Sequence, residues 1–207
     1  MIEIKILDYG LGNIRSLYNA LEKIDQKVGF LKNDKDKISK ILLIPGVGSF
    51  NKASKILKDN FPKTLEIIKS KNTFVVGICL GMQLMAKTGY EEGKIEGLNL
   101  LDGSIDKLSN KNIKLPNIGW KEISICKNNN LNFLNKYNEK KFYFVHSYSY
   151  KNIKRENLIA TSEYLDINFP SIVSGENCIG FQFHPEKSGK LGLNLLKETL
   201  KHIKKKL

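Results

Sequence analysis

The chain contains the segment Thr73-Phe74-Val75-Val76-Gly77-Ile78-Cys79-Leu80-Gly81, and this segment decides its fold. The first six residues form a short, mostly apolar run, which is typical of a strand buried on both faces of a parallel sheet. Over residues 80–87 the apolar side chains follow a helical period. The segment therefore predicts a strand, a tight turn and a helix in immediate succession, with Cys79 at the carboxyl end of the strand.

Strands and helices alternate on the amino-terminal side of this segment. Short apolar runs predict strands over residues 2–8, 28–31 and 41–44, and helical spacing predicts helices over 13–24 and 61–71. This alternation is typical of a parallel sheet covered by helices. We expect an α/β fold with an open, mostly parallel central sheet flanked by helices.

The carboxyl-terminal half is richer in strands. Strands are predicted over residues 121–126, 141–146, 158–164 and 178–183, a loop over 127–130 and a final helix over 188–203. In the first half, Ser49 is a suitable N-cap for a helix that follows residues 41–44. With 207 residues the chain is long enough for one sizeable core, so we expect a single domain over residues 1–207.

Composition and charge exclude several classes of protein. The 41% hydrophobic and 27% charged residues are ordinary for a globular protein and exclude a disordered one. The net charge of +13 comes mostly from lysines spread along the chain, which favours a solvated surface over a nucleic-acid interface. Only Arg15 and Arg155 could make the bidentate contacts of base readout. We expect no nucleic-acid partner.

The expected location is cytoplasmic. The first ten residues mix charges with aliphatic residues, which is not the pattern of a signal peptide. No segment approaches the roughly 18 consecutive apolar residues of a membrane span, so we expect no membrane partner. Cys79, Cys126 and Cys178 are odd in number and widely spaced, which fits reduced thiols better than a disulfide framework.

Cys79 has glycine two positions away on each side, Gly77 and Gly81, which is the pattern of a nucleophile elbow. The turn is too tight for side chains beside the nucleophile. The helix that follows supplies main-chain N–H groups and a positive dipole end, which activate a thiol and stabilise an oxyanion. The same five residues also fit a buried structural cysteine beside a tight turn, so both interpretations stay open.

A cysteine nucleophile needs a base, and His184 directly follows a predicted strand. The Glu186 carboxylate could accept a hydrogen bond from the imidazole and fix its tautomer, leaving the other nitrogen for the thiol proton. For His184 considered alone, a structural histidine is the alternative. His146 also ends an apolar strand and competes for the role of base, whereas His202 lies in the lysine-rich tail.

A glycine-rich segment, Pro45-Gly46-Val47-Gly48, follows the strand predicted over residues 41–44. Glycines here allow main-chain N–H groups to approach a ligand or a developing oxyanion, although the same residues also form an ordinary turn. The carboxyl ends of parallel strands meet at one edge of a sheet. This loop, Cys79 and His184 are therefore predicted to converge where open α/β sheets bind ligands.

Six motifs are spread along almost the whole chain: Asp8-Tyr9-Gly10-Leu11-Gly12-Asn13, Pro45-Gly46-Val47-Gly48-Ser49-Phe50, Gly77-Ile78-Cys79-Leu80-Gly81-Met82-Gln83-Leu84, Leu115-Pro116-Asn117-Ile118-Gly119-Trp120, Tyr143-Phe144-Val145-His146-Ser147-Tyr148 and Gln182-Phe183-His184-Pro185-Glu186-Lys187-Ser188. Together they resemble the class I (triad) glutamine amidotransferases, and most closely the glutaminase subunits of imidazole glycerol phosphate synthase. That resemblance implies the flavodoxin-like fold of the family, as a single glutamine amidotransferase domain.

The resemblance also implies the chemistry. Cys79 would be the nucleophile, His184 the general acid and base, and Glu186 the carboxylate that orients it. The substrate would be free L-glutamine, which forms a thioester as ammonia leaves and is then released as glutamate by water. No cofactor and no metal would be needed. Substrate contacts and the oxyanion hole would come from Gly46, Val47, Gly48, Leu80, Gln83, Glu91, Ser147 and Tyr148.

A heterodimer is the assembly that this resemblance implies. The partner would be a TIM-barrel cyclase subunit, which receives the ammonia in histidine biosynthesis. The residues that match the docking face are Asn13, Trp120, Tyr143 and Lys187. For Trp120, packing in the core is the alternative, because a lone tryptophan is usually largely buried.

One departure leaves the pathway open. The family usually has histidine where this chain has Asn117, near the docking face, so a paralogue that supplies ammonia for surface-sugar modification is the alternative. Two further classes are a non-catalytic docking module and a stand-alone hydrolase of γ-glutamyl compounds. The intact Cys79, His184 and Glu186 argue against the first, and the lack of an evident extra substrate-binding segment argues against the second.

Overall fold

The computed structural model describes residues 3–109, 113–127 and 129–207. Strands and helices alternate in the first part: β1 (Ile4–Leu7), α1 (Ile14–Glu22), β2 (Val28–Leu31), β3 (Ile41–Ile44), α2 (Phe50–Asn60), α3 (Pro62–Lys69), β4 (Phe74–Ile78) and α4 (Leu80–Gln83). Strands then dominate: β5 (Ala86–Gly89), β6 (Ile95–Glu96), β7 (Leu101–Lys107), β8 (Asn117–Glu122), β9 (Ser124–Ile125), β10 (Lys141–His146), β11 (Tyr148–Lys151), β12 (Leu158–Tyr164), β13 (Ile167–Ser174) and β14 (Cys178–Phe181), before the last helix, α5 (Gly189–Lys206). Short 3₁₀ helices cover Asn132–Tyr137, Arg155–Asn157 and Pro185–Lys187.

The central sheet has eight strands in the order β2-β1-β3-β4-β14-β13-β12-β9. The first five of these strands are parallel to one another, and the last three pairings are antiparallel. Two smaller sheets lie outside it, β10-β8 and β11-β7-β5-β6. The expected α/β fold with a mostly parallel central sheet is confirmed.

The core lies on both faces of the central sheet. In β3, Ile41 and Leu43 join the cluster that includes residues of α1 and α5, whereas Leu42 and Ile44 join the cluster that includes residues of α2 and α3. Successive side chains of a strand point to opposite faces, so a continuous apolar run serves both layers. Full burial of each such side chain contributes about 1.5–3 kcal/mol. In the described part of the chain, no helix is both long and apolar enough to cross a membrane.

Several predicted elements match the structure closely. The strands over 28–31, 41–44, 141–146 and 158–164 have the predicted bounds, and the other predicted helices and strands in the described residues differ at their ends. The Ser49 side chain accepts a hydrogen bond from Lys52 N (3.4 Å), as expected for an N-cap. Residue 2 of the predicted first strand and residue 128 of the predicted loop lie outside the described residues.

The helix predicted over residues 80–87 is wrong beyond Gln83. The chain instead enters β5, where Ala86 pairs with Leu101 and Thr88 with Ser104. Residues 80–86 are apolar at nearly every position, so their pattern does not distinguish a helix from a buried strand. Pairing with β7, a strand that the sequence did not reveal, decides the outcome.

The strand predicted over residues 121–126 is divided between two sheets. β8 starts earlier, at Asn117, and pairs with β10, whereas β9 pairs with β12. Ile123, which is fully buried, lies between the two strands. The sequence also failed to predict β6, β7, β11 and β13, which complete the smaller four-stranded sheet and the antiparallel side of the central sheet.

Two glycines allow α4 to pack directly on the ends of β3 and β4. A Cβ atom added to Gly81 would lie 1.7 Å from the Ile44 carbonyl oxygen. One added to Gly77 would lie 2.6 Å from the Gly81 carbonyl oxygen. No side chain fits at either position, so these glycines set the distance between strand and helix.

We expect Gly81→Ala to lower the free energy of unfolding by about 3 kcal/mol or more, because the added methyl group meets main-chain atoms that cannot move aside. The matched control is Gly29→Ala, whose Cβ would lie 3.6 Å from Lys5 Cγ, an ordinary contact. Urea denaturation measures both variants. Equal stability of the two would contradict the close approach at Gly81.

Candidate active site

The turn at Cys79 is strained and firmly held. Cys79 has φ 54° and ψ −109°, a left-handed backbone conformation that a residue with a side chain rarely adopts. Such strain costs of order 1–3 kcal/mol and persists only where the surroundings enforce it. Here the Cys79 N–H donates to the Phe181 carbonyl oxygen (2.7 Å), and the Gln83 N–H donates to the Cys79 carbonyl oxygen (3.1 Å). The side chain is consequently held at the carboxyl end of β4.

His184 and Glu186 form a buried pair beyond the end of β14. His184 Nδ1 lies 2.7 Å from Glu186 Oε1, and the two side chains are 2% and 4% exposed. The main chain at His184 is fixed as well: its N–H donates to the Tyr143 carbonyl oxygen (2.9 Å), and its carbonyl oxygen accepts from the Ser188 hydroxyl (2.7 Å). Little freedom is left to the imidazole.

The environment of His184 favours its protonated form. Burial lowers the pKa of His184, but Cys79 and Glu186 oppose that effect and raise the pKa from 6.5 to about 10. Because Nδ1 is engaged by Glu186, Nε2 is the nitrogen left for the thiol. In the described part of the chain, this Nε2 makes no hydrogen bond of normal geometry, and its nearness to Cys79 is reflected in the raised pKa.

His146, the competing base, is occupied at both ring nitrogens. Nδ1 lies 2.9 Å from the Tyr148 carbonyl oxygen, and Nε2 lies 3.1 Å from Asn117 Nδ2. Burial lowers the pKa of His146 to about 4, so this imidazole is neutral at physiological pH. The geometry therefore favours His184 over His146 as the partner of Cys79.

Gln182, which lies beside the sulfur, had no predicted role. Its Nε2 lies 3.9 Å from Cys79 Sγ, and its Oε1 accepts a hydrogen bond from Gln83 Nε2 (3.2 Å). On another side, Cys79 Sγ lies 3.8 Å from the Val145 carbonyl oxygen. The available signal was a polar residue within the apolar run 178–183, and Gln182 is indeed fully buried.

A cavity of about 420 Å³ opens at this edge of the sheet. Eight of the residues predicted to form the site line it: Val47, Gly48, Cys79, Leu80, Gln83, Glu91, Ser147 and Tyr148. Gly46 instead packs against Tyr9 and Leu80, whose atoms would lie 2.4 and 2.9 Å from an added Cβ. Within residues 3–109, 113–127 and 129–207, no group of three or more His, Cys, Asp or Glu side chains could hold a metal ion.

Glu91 connects the cavity to the start of α2. Its Oε2 accepts a hydrogen bond from the N–H of Phe50, the first residue of α2 (2.5 Å). The glycine-rich loop ends just before this helix, with Gly48 at φ 115° and Val47 exposed. A carboxylate at a helix N-terminus is favourable because it satisfies a free N–H and complements the dipole. No feature of the sequence indicated this contact.

The four residues predicted to dock a partner are at least partly accessible. Trp120 is 52% exposed and stands edge-on to Tyr143, its cross-strand neighbour, with ring centroids 6.1 Å apart. Lys187 follows Glu186 in the 3₁₀ helix Pro185–Lys187. Asn13 is exposed and caps α1 through a hydrogen bond from Ser16 N (3.2 Å). Packing of Trp120 in the core is excluded by its exposure.

Asn117 does not face the surface, although its neighbour Ile118 is 54% exposed. Its side chain is fully buried against His146. The departure from the family pattern at this position therefore concerns the interior behind the cavity, and not the docking face as the sequence suggested.

Comparison with known proteins gives a consistent result. The family model described as Glutamine amidotransferase class-I matches residues 5–203. The chain is 36% identical to the imidazole glycerol phosphate synthase subunit HisH of Sulfolobus acidocaldarius, over 97% of this chain and 98% of that one. It is 41% identical to subunit HisH 1 of Campylobacter jejuni, over 93% and 96%. Among solved structures, PurLQS from Thermotoga maritima matches with a TM-score of 0.73 at 19% identity, over 98% of this chain and all of that one, which shows a shared fold.

Since the pKa of His184 is higher in the folded protein than in the unfolded chain, its contribution to stability is complete below pH 6.5 and is lost as the pH rises toward 10.

We expect Glu186→Gln to lower the pKa of His184 from about 10 toward its ordinary value of 6.5, because one of the two groups that raise it is removed. NMR titration of the histidine ring signals measures the shift. In the control Glu122→Gln, which removes an exposed carboxylate, the titration of His184 should not change; a variant at 186 that behaves like this control would disprove the assignment.

Proposed function

The chain belongs to the class I glutamine amidotransferases and, within them, to the HisH subunits of imidazole glycerol phosphate synthase, and from this premise we propose that it hydrolyses L-glutamine and supplies the ammonia to that synthase. The observation that carries this proposal is the buried pair of His184 and Glu186, which acts on Cys79 at the turn between β4 and α4. A docking module without catalysis would have no need of this strained and desolvated arrangement.

The proposed reaction begins with attack of Cys79 Sγ on the side-chain amide carbon of glutamine. Before attack, the proton shared by Cys79 and His184 lies on His184, whose pKa is raised, and it then passes to the departing amide nitrogen, which leaves as ammonia. Glu186 keeps the imidazole in the required orientation and stabilises its charge. Water, deprotonated by the same histidine, then hydrolyses the thioester and releases glutamate.

The oxyanion of each tetrahedral intermediate requires main-chain donors. We assign them to Leu80, at the start of α4, and to the loop that contains Gly46, Val47 and Gly48. The start of α4 is favourable because the first N–H groups of this single turn have no intrahelical partner and can donate to the developing charge. The resemblance to the family implies that this loop turns its N–H groups into position only when the partner is loaded, and the exposed Val47 is consistent with a loop that can move.

The polar head of glutamine is assigned to the far side of the cavity. Glu91 offers a carboxylate for the α-ammonium group, and Gln83 offers an amide that is already held by the Tyr148 carbonyl oxygen (2.8 Å). Main-chain groups of Ser147 and Tyr148 complete the contacts. A cavity of about 420 Å³ has the size of a small-molecule site.

The proposed partner is a TIM-barrel cyclase subunit, docked on Asn13, Trp120, Tyr143 and Lys187. The exposed Trp120, which stands edge-on to the half-buried Tyr143, supports this, because aromatic side chains are enriched in protein interfaces. The names of the relatives describe subunits of a synthase, which agrees with a heterodimer. We keep the cytoplasm as the proposed location, because all three cysteines are free thiols.

The surface-sugar pathway has no observation in its favour. The sequence left it open because of Asn117, and that side chain is buried against His146. We therefore propose a single function, in histidine biosynthesis.

The function is tested by mixing the chain with the cyclase subunit of a histidine pathway and its acceptor, and measuring glutamate release. We expect Cys79→Ala to reduce this release by at least about a thousandfold, because the nucleophile is lost. Synthase activity with added ammonium salt should persist, since the partner performs that step. Cys126→Ala, at a cysteine outside the cavity, should retain both activities.

Two outcomes would count against the proposal. Glutamate release that survives Cys79→Ala would remove the assigned nucleophile. Loss of ammonium-dependent activity together with glutamine-dependent activity would remove the proposed division of work between the two subunits.

A further inference from the structure

A line of buried hydrogen bonds runs from β8 to the cavity. Asn117 Nδ2 lies 3.1 Å from His146 Nε2, and His146 Nδ1 lies 2.9 Å from the Tyr148 carbonyl oxygen. That oxygen also accepts a hydrogen bond from Gln83 Nε2 (2.8 Å). Asn117 is fully buried and His146 is 6% exposed, so water does not readily replace either partner.

The polarity of this line is fixed by its carbonyl end. A carbonyl oxygen can only accept, so His146 Nδ1 must carry the proton that it shares with Tyr148. In the neutral imidazole, Nε2 then carries a lone pair and accepts a hydrogen bond from a donor. The amide nitrogen of Asn117 supplies it, and the Asn117 oxygen has no hydrogen-bond partner in the described part of the chain. Asn117 therefore acts through its NH₂ group, as the hydrogen-bond donor to His146.

Packing against neighbouring side chains holds the imidazole of His146 in the orientation that these hydrogen bonds require. Asn117 and His146 are direct cross-strand neighbours in β8 and β10. Phe169 stands edge-on to the ring, with centroids 4.8 Å apart, and Phe144 approaches at 5.8 Å. His146 also lines the cavity together with Ser147 and Tyr148. Its position therefore determines where the main chain passes along the cavity wall.

We propose that Asn117 is a positioning residue, which acts through His146 to hold the Tyr148 peptide in the orientation that receives the polar head of glutamine. The inference rests on the proposed function, since it concerns the binding of that substrate. With its carbonyl oxygen engaged by both His146 and Gln83, the Tyr148 peptide cannot rotate. The neighbouring main-chain groups then stay directed at the cavity, and no binding energy is spent on ordering them.

The protonation state of His146 tests the first step. ¹⁵N NMR of the isolated subunit at neutral pH should show Nδ1 protonated and Nε2 unprotonated. Asn117→Asp has the same shape but offers only acceptors, so its carboxylate should convert His146 to the doubly protonated form against the opposing charge of His184. Asn117→Leu removes the hydrogen bond and should shift the Nε2 resonance. A wild-type ring with its proton on Nε2, or an unchanged ring in both variants, would overturn the proposal.

Glutamine kinetics in the complex test the second step. We expect Asn117→Asp and Asn117→Leu to raise KM for glutamine by about tenfold, the equivalent of one hydrogen bond, with kcat changed by less than about twofold. The control is Asn157→Leu, which removes a hydrogen bond to the Ser174 carbonyl oxygen (2.9 Å). Ser174 pairs with Ile179, at the edge of the sheet opposite the cavity, so this variant should leave KM unchanged.

The outcomes separate this inference from the proposed function. If the wild-type complex releases no glutamate, the function fails, whereas the NMR result still decides the role of Asn117 in fixing His146. If the wild type is active and both variants keep its KM, or lose kcat alone, the positioning role is disproved. Should Asn117→Leu fail to fold, Asn117→Asp provides both measurements.

Discussion

The close approach of Gly81 to the Ile44 carbonyl oxygen is the constraint on which the rest of the structure depends. It places the start of α4 directly on the end of β3, so the chain must turn within one residue after β4. That residue is Cys79, and its left-handed backbone conformation is the result. The same approach puts the loop after β3 beside the thiol. Because Gly81 has no side chain, α4 can lie this close to β3, and Cys79 and the glycine-rich loop are thereby brought together in the candidate site.

Two histidines at this edge of the sheet are both buried, but their pKa values are shifted in opposite directions. His184 has a carboxylate at Nδ1 and a thiol nearby, which raise its pKa to about 10. His146 has a carbonyl oxygen and an amide as its hydrogen-bond partners, which carry no charge, and burial together with the nearby charge of His184 lowers its pKa to about 4. The charged neighbour suits one imidazole to proton transfer, and the neutral neighbours suit the other to fixing the main chain.

The sequence was most informative where a signal is local. Buried strands such as β3 are short apolar runs, and the carboxyl ends of parallel strands converge by geometry, so the meeting of Cys79 with His184 could be predicted. The strand β5 could not, because its apolar residues fit a helix equally well until they pair with β7. The roles of Gln182 and Asn117 were also hidden, since each depends on a partner far away in the chain.

Tyr143 joins the exterior of the protein to its interior within a single residue. Its half-buried ring contacts the exposed Trp120, whereas its carbonyl oxygen accepts from the His184 N–H and its own N–H donates to the Ser188 hydroxyl. The main chain of Tyr143 is thus hydrogen-bonded in both directions to the segment that holds the imidazole. A single hydrogen bond therefore separates the residue that supports Trp120 at the surface from the main chain of His184.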